Sequence, residues 1–157
     1  MRKLKLYLDT SFISHLQQPD APDKMNDTLL LWNDIVAGDF QAVISEVTTR
    51  ELMNAPEPKR SIIAGYLVQA GFEELPLIKP AYELAQEIIQ RGILTEKSLD
   101  DCMHIAIAIL NSCDVIVSWN FKHLVNIKTI DGIRGIVISH RYKPIDIYSP
   151  TILLKGD

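Results

Sequence analysis

Short apolar runs alternate with amphipathic stretches along this chain, and the two periods predict different elements. Runs of a few apolar or β-branched residues, ended by polar residues, predict strands at 4–8, 42–44, 72–78 and 115–117. Apolar residues spaced three or four apart predict helices at 22–37, 61–70, 81–91 and 98–110, with a further helix capped by Ser45. The tail contains two more β-like runs, at 135–138 and 145–147.

Strands therefore alternate with helices through most of the chain. This order is typical of an α/β fold with a mainly parallel sheet, right-handed crossovers and helices on both faces. No repeat or linker divides the sequence, so we expect one domain over residues 1–157. In such folds ligands bind at the carboxyl ends of the strands, and the residues just after strands are the candidates for chemistry.

Composition narrows the class of protein. With 157 residues, 47% of them hydrophobic, the chain suits a single core. The two cysteines, Cys102 and Cys113, lie in one apolar stretch and indicate a reducing compartment. No signal-peptide pattern and no run near the roughly 20 apolar residues of a membrane span is present, so we expect a cytoplasmic protein without membrane contact.

Charge gives a mixed indication about nucleic acid. The net charge of −4 argues against a general nucleic-acid binder. The segment 122–143 is nevertheless basic, with five lysines and arginines against Asp131 alone. It is either an ordinary solvated face or a contact surface for phosphates.

Acidic residues lie at or near the ends of the predicted strands, where this type of fold binds ligands. Asp9 directly follows the first predicted strand, and Glu51 lies one to two helical turns after the second. Asp100 and Asp101 open the apolar helix, and Asn120 directly follows the fourth strand. Each has an ordinary alternative: Asp9 and Asn120 as helix N-caps, Glu51 as a surface residue, and Asp101 as part of a capping box with Ser98.

Oxygen ligands from several elements suit Mg²⁺ or Mn²⁺. Zinc is not indicated, because the four histidines show no ligand spacing with the cysteines. The chain also has no phosphate-binding glycine loop and no nucleophilic serine or cysteine motif.

At these residues the chain resembles PIN-domain ribonucleases, and especially the VapC-type toxins of toxin–antitoxin pairs. The matching segments, which in order cover nearly the whole chain, are 6–11, 45–52, 100–108, 116–124 and 145–150. The resemblance implies a three-layer α/β/α sandwich with a Mg²⁺- or Mn²⁺-dependent endoribonuclease site. It also implies an antitoxin protein as a partner and a homodimer.

By motif position the resemblance assigns the metal-binding and catalytic roles to four residues: Asp9, Glu51, Asp101 and Asn120. Thr10 and Ser11 match the position that supports the metal through a hydroxyl or a water, and Asp100 remains an accessory candidate. Asn120 stands where the family commonly has Asp, so a second ion would be held less firmly. The candidates for RNA phosphate contacts are Lys122, His123, Arg134 and Arg141.

Two other functions remain open. A nucleic-acid-binding module that kept the fold and lost the chemistry is favoured by the uncharged Asn120. A DNA-directed nuclease or a phosphatase would need similar acids.

Overall fold

A five-stranded sheet lies at the centre of the computed structural model, which describes residues 2–155. The strands are β1 (Lys5–Leu8), β2 (Gln41–Ser45), β3 (Glu73–Leu75), β4 (Val115–Val117) and β5 (Asp146–Tyr148). Their order is β3-β2-β1-β4-β5, and every neighbouring pair is parallel. The predicted α/β class with a parallel sheet is therefore confirmed.

Eight α-helices connect or flank the strands within the described residues. They are α1 (Thr10–Ser14), α2 (Pro22–Val36), α3 (Glu46–Leu52), α4 (Lys59–Ala70), α5 (Lys79–Gln90), α6 (Leu99–Leu110), α7 (Ile127–His140) and α8 (Pro150–Leu153). Two 3₁₀ turns, His15–Gln17 and Glu96–Ser98, precede α2 and α6. None of the helices over residues 2–155 is both long and apolar enough to cross a membrane.

Alternating side chains of the strands divide the interior into two cores. Tyr7 of β1 packs into the core with α5, α6 and α7, whereas its neighbours Leu6 and Leu8 pack with α1, α2 and α4. Successive residues of a strand point to opposite faces, so this division follows directly from the period of two. The helices cover both faces of the sheet, and the three-layer sandwich is confirmed.

The chain reverses its direction of travel across the sheet between β1 and β4. From β1 it winds outward through β2 and β3, then crosses back to β4 and continues to β5. The reversal opens a crevice at the carboxyl ends of β1 and β4, which is where such sheets bind ligands. Asp9 follows β1, and Ser118 to Asn120 follow β4, at this crevice.

One local prediction was wrong, and two of the ordinary structural alternatives do not hold. The β-like run 135–138 lies inside α7, which begins at the cap Asn126 and overrides the short β-branched pattern. No helix starts after Asn120; residues 121–124 form turns instead. The capping box of Ser98 and Asp101 does not form, because Ser98 is the last residue of a 3₁₀ turn and has ψ near 26°, not the extended conformation of a cap.

Candidate active site

Asp9 combines a structural and a chemical position. Its Oδ1 accepts hydrogen bonds from the Phe12 amide at 2.9 Å and the Ser11 hydroxyl at 2.7 Å, so it caps α1 as the sequence alternative foresaw. Ser11 in turn accepts a 2.8 Å hydrogen bond from the Trp119 amide, which ties the start of α1 to the segment after β4. Asp9 is 3% exposed.

Glu51 is held by a chain of hydrogen bonds that begins inside the protein. Its Oε1 lies 2.8 Å from the Thr10 hydroxyl and 2.6 Å from Nε2 of His104. Nδ1 of His104 lies 2.6 Å from the Tyr7 hydroxyl, which also contacts the Ser45 hydroxyl at 2.7 Å. The chain of hydrogen bonds therefore runs from Ser45 through Tyr7 and His104 to Glu51, whose carboxylate accepts from Nε2 of His104.

Asp101 lies on the first turn of α6 and meets the loop after β4. Its Oδ2 is 3.0 Å from Nδ1 of His123 and 3.5 Å from Nδ2 of Asn120. The Asn120 oxygen accepts the His123 amide at 3.0 Å. Asn120 therefore turns its amide NH₂ group toward Asp101 and uses its oxygen within its own loop.

These residues line a single cavity of about 300 Å³, which we call the acidic cavity. Its lining residues are Asp9, Thr10, Ser11, Ser14, His15, Glu51, Asp101, His104 and Asn120. All four candidates for metal binding and catalysis lie in it, together with both hydroxyl candidates. The expected convergence of separate chain segments is thus present.

Sequence reasoning missed three of the lining residues: Ser14, His15 and His104. His104 is 2% exposed in an apolar helix and resembles a core residue. One sequence feature could have found it, since it lies three residues after Asp101 and therefore on the same helix face.

Burial sets the ionisation of the three acids. It raises the pKa of Asp9 above its usual range, against the opposing effect of His104 and of the hydrogen bonds to this carboxylate. Burial also raises the pKa of Asp101, although His104 and His123 oppose it. At Glu51 burial acts in the same direction, but contacts with His104 and Thr10 outweigh it and the pKa is lowered.

Two of the three carboxylates have one oxygen in use and one without a protein partner. Oδ1 of Asp9, Oε1 of Glu51 and Oδ2 of Asp101 receive the hydrogen bonds described above. At Glu51 and Asp101 the second oxygen accepts no hydrogen bond from another described residue. The Asp9 carboxylate also has the Ser118 hydroxyl as a hydrogen-bond partner. No buried side-chain polar atom within 2–155 is left enclosed without a partner. All three carboxylates line the cavity, and carboxylate oxygens are the donors that a hard divalent cation prefers.

The three acids do not lie close enough together to coordinate one ion directly. Within residues 2–155 no three His, Cys, Asp or Glu side chains are arranged to hold one ion directly. Uncompensated carboxylates repel each other, and Mg²⁺ usually keeps several water ligands. The donor set of the cavity therefore fits a partly hydrated Mg²⁺ or Mn²⁺ rather than a fully dehydrated ion.

The remaining candidates lie outside the acidic cavity. Asp100 forms an exposed 2.8 Å ion pair with Arg50. Arg134 pairs with Asp131 on α7, and Arg141 ends that helix with a positive φ of 58°. Lys122 and His123 line a neighbouring cavity, and only His123 contacts one of the acids.

Fold and cavity together define an α/β domain with an acidic site at its topological switch point. A family model of the PIN domain matches residues 6–122, and the chain belongs to the PIN-domain family. PIN domains are generally nucleases that use divalent metal ions.

Among solved structures the chain is similar to the crystal structure of VapBC2 from Rickettsia felis bound to a DNA fragment from their promoter. The two are 14% identical over 93% of this chain and 98% of that chain, with a TM-score of 0.56. This likeness shows a shared fold. A search of curated proteins found no significant match.

Proposed function

We propose that this protein is a metal-dependent endoribonuclease and the toxin of a toxin–antitoxin pair. One observation carries the proposal: three carboxylates from three separate segments of the chain line one cavity. The membership in a family of nucleases supports the same chemistry.

In this proposal Asp9, Glu51 and Asp101 hold the metal ion, which when bound supplies an activated water and compensates charge on the scissile phosphate. Thr10 and Ser11 orient two of the carboxylates through their hydroxyls.

Asn120 takes the place of a fourth acid. It brings no charge, and its NH₂ group orients Asp101. We therefore propose a single tightly held ion, with any second ion weakly bound.

The experiment is cleavage of labelled single-stranded RNA and DNA of the same sequence, in Mg²⁺, in Mn²⁺ and in EDTA. We expect cuts within the RNA with either metal and none in EDTA. Asp9→Asn should remove the activity, whereas Asp23→Asn, the same change at an exposed position of α2, should keep it. Equal cleavage by both variants, or cleavage in EDTA, would contradict the assignment. Faster cleavage of DNA than of RNA would show that the substrate is DNA.

A second candidate is a nucleic-acid-binding module without catalysis. The uncharged Asn120, whose oxygen is engaged with the His123 amide, favours it. RNA binding without metal-dependent cleavage by freshly purified protein would support this alternative.

The partner in the proposal is an antitoxin protein, as in the VapBC2 complex to which the fold is similar. The apolar face of α2 does not offer a docking surface, because Leu31, Trp32 and Ile35 of that face are buried in the core. An apolar cavity of about 90 Å³ between α3 and α4, lined by Met53 and Leu67 among others, is the better site. Co-expression with the protein encoded just upstream, followed by co-purification, tests the pairing.

Cytoplasmic location and a homodimer stay predictions. Light scattering on the purified chain, alone and with the antitoxin, measures the oligomeric state.

A further inference from the structure

A second polar cavity lies beside the acidic cavity, on the other side of His123. It has a volume of about 190 Å³, and we call it the lysine cavity after the residues that define it: Thr95, Ser98, Lys122, His123, Lys128 and Thr129. The His123 ring contacts Asp101 through Nδ1 and also lines this cavity. The two cavities are therefore adjacent, and a nucleic-acid strand bound at one of them would also reach the other.

The charge of the lysine cavity is the opposite of its neighbour's. Lys122 and Lys128 are both exposed, and neither forms an ion pair within 4 Å with a described residue. Two helices also begin here: Ser98 precedes α6, and Asn126 caps α7. Helix N-termini present free amide groups and a partial positive charge, which favour anions.

Ser98 indicates a ligand independently of these charges. It is 5% exposed, it lines the cavity, and its hydroxyl neither caps α6 nor bonds to any residue over 2–155. A hydroxyl that makes no hydrogen bond in the protein is available to hydrogen-bond with water or a ligand. Since no enclosed polar atom lacks a partner in the described chain, this hydroxyl is reached from the cavity itself.

The walls of the lysine cavity are held in place before any ligand arrives. The Thr129 hydroxyl donates to the His123 carbonyl at 2.7 Å, and the Asn126 side-chain NH₂ group donates to the carbonyls of Phe121 and Lys122. At Gly132 a Cβ atom would lie 2.6 Å from Ile93, so this glycine lets α7 pack tightly against the cavity floor. A preformed site loses little ordering entropy on binding.

We infer that the lysine cavity is a phosphate subsite, which binds a backbone phosphate of the RNA strand next to the phosphodiester at the acidic cavity. This inference rests on the proposed function and extends it. Lys122 and Lys128 compensate the charge, and the Ser98 hydroxyl donates a hydrogen bond to a phosphate oxygen.

The test is binding of a fluorescent ten-nucleotide single-stranded RNA in EDTA, measured by anisotropy over a range of salt concentrations. The double variant Lys122→Gln/Lys128→Gln should bind about tenfold more weakly at low salt. Its plot of log affinity against log salt should be shallower by about 0.7 for each phosphate that the lysines no longer neutralise. The matched control is Lys3→Gln/Lys79→Gln, which removes the same charge at exposed positions away from the cavity and should keep the wild-type slope.

A third variant separates the site from general charge. Ser98→Ala removes a hydroxyl that makes no hydrogen bond in the protein, so the melting temperature should stay unchanged while RNA affinity falls three- to tenfold. Equal salt slopes for the two double variants, or wild-type affinity in Ser98→Ala, would overturn the inference.

Failure of the inference and failure of the proposed function give different results. If the variants show this binding pattern but the wild-type protein cuts no RNA in Mg²⁺ or Mn²⁺, the phosphate subsite stands and the assignment as an enzyme is wrong. If the wild-type protein cuts RNA but the two double variants bind RNA equally well, the assignment as an enzyme stands and the phosphate subsite is wrong.

Discussion

Replacing Tyr7 by phenylalanine removes one buried hydroxyl from the hydrogen-bond chain behind Glu51. Tyr7 is fully buried, and burial raises the pKa of its phenol, so the group is neutral at working pH. Its oxygen makes two contacts, at 2.7 Å with Ser45 and at 2.6 Å with His104. The Tyr7→Phe variant keeps the ring in place and leaves Nδ1 of His104 without a partner.

The expected loss of stability follows from that orphaned nitrogen. A buried polar atom left unsatisfied costs about 1–3 kcal/mol. For a chain of this size we expect the melting temperature to fall by about 2–12 °C. Tyr82→Phe, at a half-exposed position on α5, is the matched control and should melt within about 0.5 kcal/mol of wild type.

The same change should loosen the metal site without touching a ligand. The Tyr7 hydroxyl no longer fixes the His104 ring, and the 2.6 Å hydrogen bond from this ring to Glu51 weakens. Removing the direct hydrogen-bond partner of a metal ligand typically lowers metal affinity about 10–100-fold; Tyr7 acts through that partner, so we expect the low end, about tenfold, for Mg²⁺ here. Calorimetric titration with Mg²⁺ and urea unfolding measure the two effects; a Tyr7→Phe protein with wild-type values for both would refute the role of this chain.

Four further outcomes follow from the acids. Asp9→Asn should abolish cleavage yet fold as well as wild type, because asparagine also caps helices; a large loss of stability in urea would contradict this. Mg²⁺ at 100 times its Kd should stabilise the wild type by about 2.7 kcal/mol, or about 5–11 °C in melting temperature, and Asp101→Asn should lose this shift in the same thermal scan. Without metal, Asp9 and Asp101 hold protons more tightly in the folded than in the unfolded state, because burial raises the pKa of each. Their contribution to stability should therefore fall as the pH rises from their ordinary pKa through the raised one, which a series of urea curves measures. Asp114, whose pKa is held below its usual range by Arg2, should act in the opposite sense: its contribution is present above pH 4 and lost on acidification, and Asp114→Asn should remove that acid dependence.

The sheet and the positions of the acids could be predicted because they depend on local pattern and one topological rule. Strand β4 was predicted with its exact bounds, and Asp9 was placed by the rule that ligands bind where strands end. Glu51 needed the resemblance, since a helical glutamate alone is more often a surface residue. Its role in the site becomes visible only through contacts with Thr10 and His104.

His104 and the lysine cavity could not be predicted for a different reason. His104 sits among isoleucines and alanines, and its function depends on Tyr7, a residue 97 positions away that reaches it across the core. Ser98 matched a capping box, and no residue pattern indicates that a 3₁₀ turn would remove it from that role. The roles of His104 and Ser98 depend on contacts between distant residues and on the local backbone conformation. The spacing of apolar residues along the sequence predicts neither.

Every acid of the site is oriented by residues from another part of the fold. Ser11 links Asp9 to the Trp119 amide after β4, His104 of α6 holds Glu51 of α3, and the loop after β4 holds Asp101. The site is therefore cross-linked by hydrogen bonds between α1, α3, α6 and the segment after β4, so its geometry depends on the pairing of β1 with β4. Burial of the acids favours protonation of two of them, and this arrangement is costly for a chain without a cation. A bound cation would compensate the charge of these carboxylates and so explain why many hydrogen bonds hold them close together. For this physical reason a metal-dependent activity is the first to test.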